Sequence, residues 1–483
     1  MEEISPAQGP AVHGSLLGSE TASNGSAAES EDIFSVLGKK KAAPSHQADG
    51  TAQLPPPPQS IEDTGLSSSF LLELAMKIVH YMDGPTVEQI ARGLGLTNVL
   101  TEEIVEQLKA NRFCEVIGGG SYDLPGRYKL RLTEKGEARA EQALERCRYA
   151  GSAPVPIEQY ERILAPFLST RFRPAREAVQ QAHEGLTLDP ATADLLERAL
   201  RSGRTSMVYG PSGNGKTHLL TEFVRLLQGE ILCPRAIYAY GQIVRIYDPL
   251  VHEAREDNRA THTDGENGDG ALRHEEQVDH RWVKIKRPGL IMGGEVTAES
   301  LELGYDPIAR FYQAPKHLKA QGGVLVIDDF GRQKVGPEDL LDRWIMALER
   351  GRDNLLLRTG ENIDLPFSMT ILLSTNIDPT ELADAAHLRR IYYKVYVPPV
   401  SPDRFKQIVR RMLEQEDISP SEEHLGEAAA YLSEVTGGKL SGSLPRDLVS
   451  IIVDNAEHDG KEPEFDVVSV KLAYEQFTGT AGR

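Results

Sequence analysis

The stretch Gly210-Pro211-Ser212-Gly213-Asn214-Gly215-Lys216-Thr217-His218 decides the reading of this chain. It fits G-x-x-x-x-G-K-[ST], and its setting matters more than the pattern. Ser206-Met-Val-Tyr209 before it predicts a short strand. The apolar spacing from Thr217 through Leu219, Leu220, Phe223 and Val224 predicts a helix after it. Glycines at 210, 213 and 215 let backbone N–H groups curl around phosphate oxygens with no Cβ in the way. Lys216 can reach β/γ oxygens, and Thr217 can ligate Mg²⁺. The expected ligand is ATP with Mg²⁺, held by residues 210–218.

Working outward, Gly322-Gly-Val-Leu-Val-Ile-Asp328-Asp329-Phe reads as a buried parallel strand with carboxylates at its C-terminal end. Ligands of open α/β sheets bind at that end. Asp328 is the natural metal-side carboxylate and Asp329 the natural base for water. Thr370-Ile-Leu-Leu-Ser-Thr375-Asn376 is a second apolar strand ending in polar residues, and the Asn376 amide could orient water or the γ-phosphate. Arg389-Arg390 follows in Ala385-Ala-His-Leu-Arg-Arg-Ile, although paired arginines are usually a solvated face. Ser443-Leu-Pro-Arg446-Asp-Leu opens a helix near the C-terminus.

The order of these five elements resembles that of the AAA+ ATPases over residues 160–483. The resemblance implies a P-loop α/β domain with a parallel sheet and a C-terminal helical lid. It also implies hydrolysis of MgATP and assembly into a ring or other homo-oligomer. Asn376 takes the position of sensor 1, and Arg389 or Arg390 that of an arginine finger offered to a neighbouring subunit. Arg446 takes that of sensor 2. One departure stands out: the second motif ends Asp-Asp where the family has Asp-Glu, which implies slow turnover. Ala320-Gln-Gly-Gly-Val-Leu-Val-Ile-Asp-Asp is similar to the corresponding motif of the MoxR and magnesium-chelatase clade. That clade inserts a helix and a β-hairpin before the sensor 1 strand, as residues 340–363 suggest here. A winged helix followed by an AAA+ core also looks like a group of uncharacterised bacterial ATPases.

Composition bounds the remaining options. The 483 residues carry 53 Lys+Arg and 72 Asp+Glu, so the net charge is 53 − 72 = −19, which disfavours non-specific wrapping of nucleic acid. No apolar run reaches membrane-spanning length, no secretory signal is visible, and three scattered cysteines form neither a zinc spacing nor a disulfide framework. A reducing cytoplasm is expected. Residues 1–64 read as a disordered tail rich in Ser, Ala, Gly and Pro, with a short apolar cluster at 32–37. Residues 65–150 show three stretches of helical apolar spacing and two strands around Gly118–Gly120, an order that resembles a winged helix-turn-helix domain. A Pro-punctuated connector at 151–190, the ATPase core at 191–400 and a helical lid at 401–483 complete the chain.

Three further constellations have bland readings beside functional ones. His252, His262, His274 and His280 lie in or beside an acidic loop, where zinc is conceivable but a solvated loop fits the spacing better. His280-Arg281-Trp282-Val-Lys284-Ile-Lys286-Arg287 has the chemistry of a single-strand-binding surface or of a plain basic strand. In the winged helix, Glu102, Glu103 and Glu106 on the would-be recognition helix oppose DNA, while Arg127, Lys129 and Arg131 on the wing favour it. The leading reading is an ATPase that remodels an unknown protein client, with the winged helix as adaptor and weak DNA binding at most. A DNA-associated ATPase and an ATP-dependent switch with little hydrolysis are the alternatives.

Overall fold

A computed structural model describes residues 52–118, 128–168, 172–184, 188–255, 278–416 and 418–480. The apolar cluster at 32–37, the wing tip with Arg127, and His262 and His274 lie outside the described residues.

The first unit has helices α1 (Ser68–Tyr81), α2 (Val87–Leu94) and α3 (Asn98–Ala110), then an antiparallel pair β1 (Cys114–Gly118) and β2 (Lys129–Leu132), then α4 (Glu134–Arg146). Each helix starts at a hydroxyl residue that caps it. Ser67, Thr86, Thr97 and Thr133 cap the four N-termini through their hydroxyls, and the cap of α2 is a full capping box with Gln89. The helix–helix–helix–hairpin order expected from the sequence is therefore present.

Next come β3 (Val155–Pro156), α5 (Ile157–Leu168), α6 (Arg176–Glu184) and α7 (Pro190–Arg201). The stretch expected to be a connector thus contributes helices and a strand. Tyr160, Leu164 and Val179 are buried, and this apolar spacing outweighs the scattered prolines.

The core sheet is five-stranded and all parallel. It comprises β4 (Ser206–Tyr209), β9 (Gly289–Met292), β12 (Val324–Ile327), β15 (Thr370–Thr375) and β16 (Tyr393–Tyr396), in the spatial order β16-β4-β15-β12-β9. One face packs on α6, α7 and α8 (Lys216–Arg225) through Leu196, Leu219 and Phe223. The other packs on Leu340, Leu341 and Trp344 of the helix Pro337–Arg350. Burial on both faces is why these strands read as continuous apolar runs. The fold class is the expected α/β with a parallel sheet. That helix is followed by the antiparallel hairpin β13 (Arg352–Leu356) and β14 (Asn362–Pro366), where the sequence placed a helix and hairpin.

Between α8 and β12 the chain departs from simple alternation. It forms β5 (Glu230–Pro234), β6 (Ala236–Ala239), β7 (Gln242–Arg245), β8 (Trp282–Lys286), β10 (Gly304–Asp306) and β11 (Phe311–Gln313), with one turn of helix, α9 (Lys316–Lys319), before β12. A second sheet, β10-β11-β7-β6-β3, and the β5–β8 pair result. Ala236 and Ile243 of this body enter the core of the first unit, and Phe70 meets Tyr238 at 4.9 Å between ring centres.

The expected tail is corrected at its end. Ala52 and Ile61 are buried, the Pro55 carbonyl accepts from Asp279 N–H, and the Thr64 carbonyl accepts from Arg281. A few apolar residues dock this strap despite its tail-like composition. Numbering the helices onward, α10 is Pro337–Arg350, α11 Pro379–Leu382 and α12 Ala385–Leu388. The C-terminal bundle is α13 (Pro402–Gln415), α14 (Glu422–Val435), α15 (Leu444–Asp459) and α16 (Val467–Thr478), packed around Phe405, Leu432 and Leu448.

Candidate functional site

Three neighbouring strands bring the site together. β15 lies between β4 and β12, so the residue after β15 can touch groups that follow each of its neighbours. Beyond β4 the loop 210–215 turns into α8, with Gly213 at φ +77° and Gly215 at φ +78°, left-handed conformations that favour glycine. The N-terminal N–H groups of α8 thereby face the loop, the ordinary arrangement for holding an anion.

Lys216 is buried at 6% exposure and its Nζ donates to three acceptors: Gly210 O, Pro211 O and Asn376 Oδ1, each at 2.7 Å. Burial holds its pKa below the usual lysine range, partly offset by the charges of Asp328 and Asp329. Thr217 Oγ1 donates to Asp328 Oδ1 at 2.9 Å, and Asn376 Nδ2 donates to Asp329 Oδ1 at 3.3 Å. One amide therefore links the lysine to the second carboxylate. The adjacent Thr217 hydroxyl and Asp328 carboxylate are hard oxygen donors of the kind Mg²⁺ takes alongside substrate phosphates, so the donor set fits that ion.

The sequence missed how the loop is held from outside. Asn214 is buried; its Nδ2 donates to Pro398 O at 3.2 Å and its Oδ1 accepts from Gly442 N–H at 3.1 Å. A Cβ at Gly213 would collide with the hydroxyls of Ser441 and Ser443. The turn before α15 is thus seated on the loop. The sequence singled out Ser443-Leu-Pro-Arg446 for its arginine, but the contact is made by the uncharged residues before it, which no local pattern marks.

Other expected residues stand apart. Ser212 and His218 are exposed. Arg446, on the first turn of α15, is 74% exposed and bonds Asp447 beside it. The paired arginines separate. Arg390 donates to Glu349 on α10 at 3.1 Å and to Ala386 O, whereas Arg389 is exposed. His387 binds Asp384 at 2.7 Å and Asp342 of α10 at 2.8 Å, and the bond to Asp342 raises its pKa above the ordinary 6.5.

The basic-aromatic stretch does not form a binding surface. Trp282 is 1% exposed and stacks on Tyr160, with 6.4 Å between ring centres and 6° between planes. Arg281 is buried against Asp279 at 2.8 Å, and Lys284 is buried as well. Alternation puts residues on two faces, but both faces of β8 are covered. His252 is likewise buried, not part of a solvated loop. Its Nε2–H donates to Lys319 O at 2.9 Å and its Nδ1 accepts from Asp248 N–H at 3.1 Å. Among the described residues no group of three or more His, Cys, Asp or Glu could hold a metal ion. Burial pushes the Cys114 thiol up to about 11 and raises that of Cys233, as for small apolar fillers. Near the first unit's hairpin, Arg131 pairs with Glu115 at 2.8 Å and Lys109 with Glu106 at 2.8 Å, while Glu103 is exposed. No described helix is long and apolar enough to cross a membrane.

No protein-family model matches the chain, and no curated protein matches it by sequence. Among solved structures the chain is similar to the Thermotoga maritima RuvB Holliday junction branch migration motor, at 13% identity over 64% of this chain and 73% of that one, with a TM-score of 0.30. It is similar to domain III of the Thermotoga maritima replication initiation protein DnaA, at 16% identity over 62% and 97%, with a TM-score of 0.34. It is also similar to NtrX from Brucella abortus, at 13% identity over 71% and 66%, with a TM-score of 0.36. All three TM-scores lie below 0.5, so no function follows from these likenesses.

Proposed function

We propose that this chain is an AAA+-type ATPase that binds and hydrolyses MgATP. One observation carries the reading: Lys216, Thr217, Asp328, Asp329 and Asn376, from three separate motifs, form one hydrogen-bonded constellation at the C-terminal edge of the parallel sheet. In this reading Lys216 exchanges its protein acceptors for β- and γ-phosphate oxygens, while the N–H groups of 213–217 hold the phosphates. Thr217 and Asp328 would hold magnesium, which when bound neutralises phosphate charge. Asp329 accepts a proton from the attacking water as the water oxygen bonds the γ-phosphorus and the bond to the ADP oxygen breaks. Asn376 fixes the carboxylate that does so.

Arg389, exposed beside an anchored Arg390, is the residue that a second copy would receive at its own site, so the active species is an oligomer. The exposed Glu103 and Glu106 of α3 favour a protein client over nucleic acid for the first unit, and the burial of Trp282 removes the separate candidate surface for single strands on β8. The test is direct. Lys216→Ala removes a charged contact worth roughly 1.5–3 kcal/mol and should weaken ATP binding about ten- to a hundredfold in a fluorescent-nucleotide titration. Asp329→Asn should bind as the parent does and release no phosphate. Undiminished binding by the first variant, or undiminished hydrolysis by the second, overturns the assignment.

A further inference from the structure

We propose that Gln333 is a positioning residue for Asp329, the base in the reading above, on which this inference rests. Asp329 has φ +52°, a left-handed conformation that aspartate adopts more readily than most side-chain-bearing residues but that is still uncommon. Such backbone persists where surrounding contacts over-determine it, and often where function needs a side chain re-aimed. Here the contacts come from two sides.

On the sheet side, Phe330 N–H donates to Ser374 O at 2.6 Å and the Thr375 hydroxyl donates to Phe330 O at 2.7 Å, so the buried Phe330 is locked to the end of β15. On the outer side the Arg332 N–H donates to Asp329 O at 3.0 Å, and one side chain adds the rest. Gln333 Nε2 donates to Asp328 O at 2.9 Å and to Asp329 O at 3.1 Å, and its Oε1 accepts from Gly331 N–H at 2.8 Å. One amide therefore satisfies three backbone groups of the turn that carries both carboxylates. No other described side chain bonds the carbonyls of Asp328 and Asp329.

This arrangement accounts for the Asp-Asp departure noted in the sequence. The left-handed residue turns the short carboxylate back across the sheet edge, where it meets Asn376 Nδ2 at 3.3 Å, with Arg332 Nε at 3.8 Å. The backbone supplies the placement that a longer side chain would otherwise supply. Gln333 makes no hydrogen bond to the loop 210–217. Its loss should therefore misplace the base without weakening the hold on nucleotide.

The experiment compares the full chain with Gln333→Ala and Gln333→Met, the second keeping the side-chain bulk without the bonds. Both should lower kcat by about ten- to a hundredfold, the scale of an ångström-sized misplacement, with KM for ATP within about threefold of the parent. Independently of turnover, the Gly331 amide should exchange with solvent faster in both variants, because its acceptor is gone. The thermal midpoint checks that each variant is folded. Asp329→Glu should be slower than the parent, since the backbone is set for the shorter side chain. Parental kcat in Gln333→Met, or a KM that rises in proportion to the loss of kcat, overturns the positioning role. If Asp329→Asn hydrolyses at the parental rate, the base assignment itself fails, whatever Gln333 does.

Discussion

The edge of the parallel sheet and the β5–β8 body use the same residue types to opposite ends. At the sheet edge, Lys216 and Asn376 converge on a loop whose glycines keep backbone N–H groups open, and Thr217 stands at its exposed rim. In the second body, Arg281 closes on Asp279 and Trp282 on Tyr160, each almost wholly buried. A buried charge must be paired, and a buried ring must be packed. The first arrangement leaves its polar groups exchangeable for a ligand's, whereas the second has spent them on the fold. A basic residue thus signals a binding surface only after its partners are known: the buried Lys216 bonds neutral oxygens, whereas the buried Arg281 is closed on a carboxylate.

Three sets of substitutions sharpen or break that contrast. The largest effect is expected at Arg389. An arginine supplied to transition-state charge is worth about 10³–10⁵ in rate. Arg389→Ala protein should be inactive alone, yet its own sites should fire when mixed with Asp329→Asn subunits that still carry Arg389. Phosphate release from such mixtures, titrated over subunit ratio, measures this. Arg390→Ala should lose less, because Arg390 is bound to Glu349. Full activity of Arg389→Ala at all dilutions would falsify the assignment in trans.

Next in size is Trp282→Ala. Removing a fully buried tryptophan costs about 3–5 kcal/mol, so the denaturant midpoint should fall sharply while the folded variant binds nucleotide as the parent does. A loss of single-stranded DNA binding with unchanged stability would instead restore the surface reading of this stretch.

The smallest effect concerns His387, which ties α12 to α10. Facing it are Asp342 on α10 and Asp384 at the start of α12, with Glu349 and Arg390 forming the neighbouring pair. Its pKa is raised above 6.5, first by the bond to Asp342. The charged clamp is therefore complete below the ordinary value and is lost as pH rises through the raised one. The stability difference between parent and His387→Gln should be largest below the ordinary value of 6.5 and shrink as pH rises above it. A difference that does not change with pH assigns the clamp to packing instead of charge.

The constellation at the sheet edge was legible because each of its three motifs is local, although the bonds between them span 111 and 160 residues. A strand, a glycine loop and a helix are neighbours in the chain, and apolar runs ending in Asp328-Asp329 and Asn376 can lie side by side only in a parallel sheet with those ends together. The caps of α1 to α4 were equally local. Gln333 carries no such mark, since a glutamine four residues past a carboxylate is ordinary until the turn brings its amide onto three backbone groups. Asn214 was visible as part of the loop, but its bonds to Pro398 and Gly442 depend on the helical bundle arriving there.

What the sequence indicated by itself was the helix–helix–helix–hairpin order of the first unit, the apolar strands of the parallel sheet, the glycine loop after β4, and the identity of the residues at the sheet edge. These follow from apolar periodicity, glycine and capping chemistry, all of which act over a few residues. What the tertiary structure alone decided was which charged and aromatic groups stay accessible. Trp282 and His252 were buried and Arg389 left in solvent by packing between elements far apart in the chain. Burial is a property of the whole fold: a side chain's exposure depends on what other segments place over it, and no window of sequence contains that information.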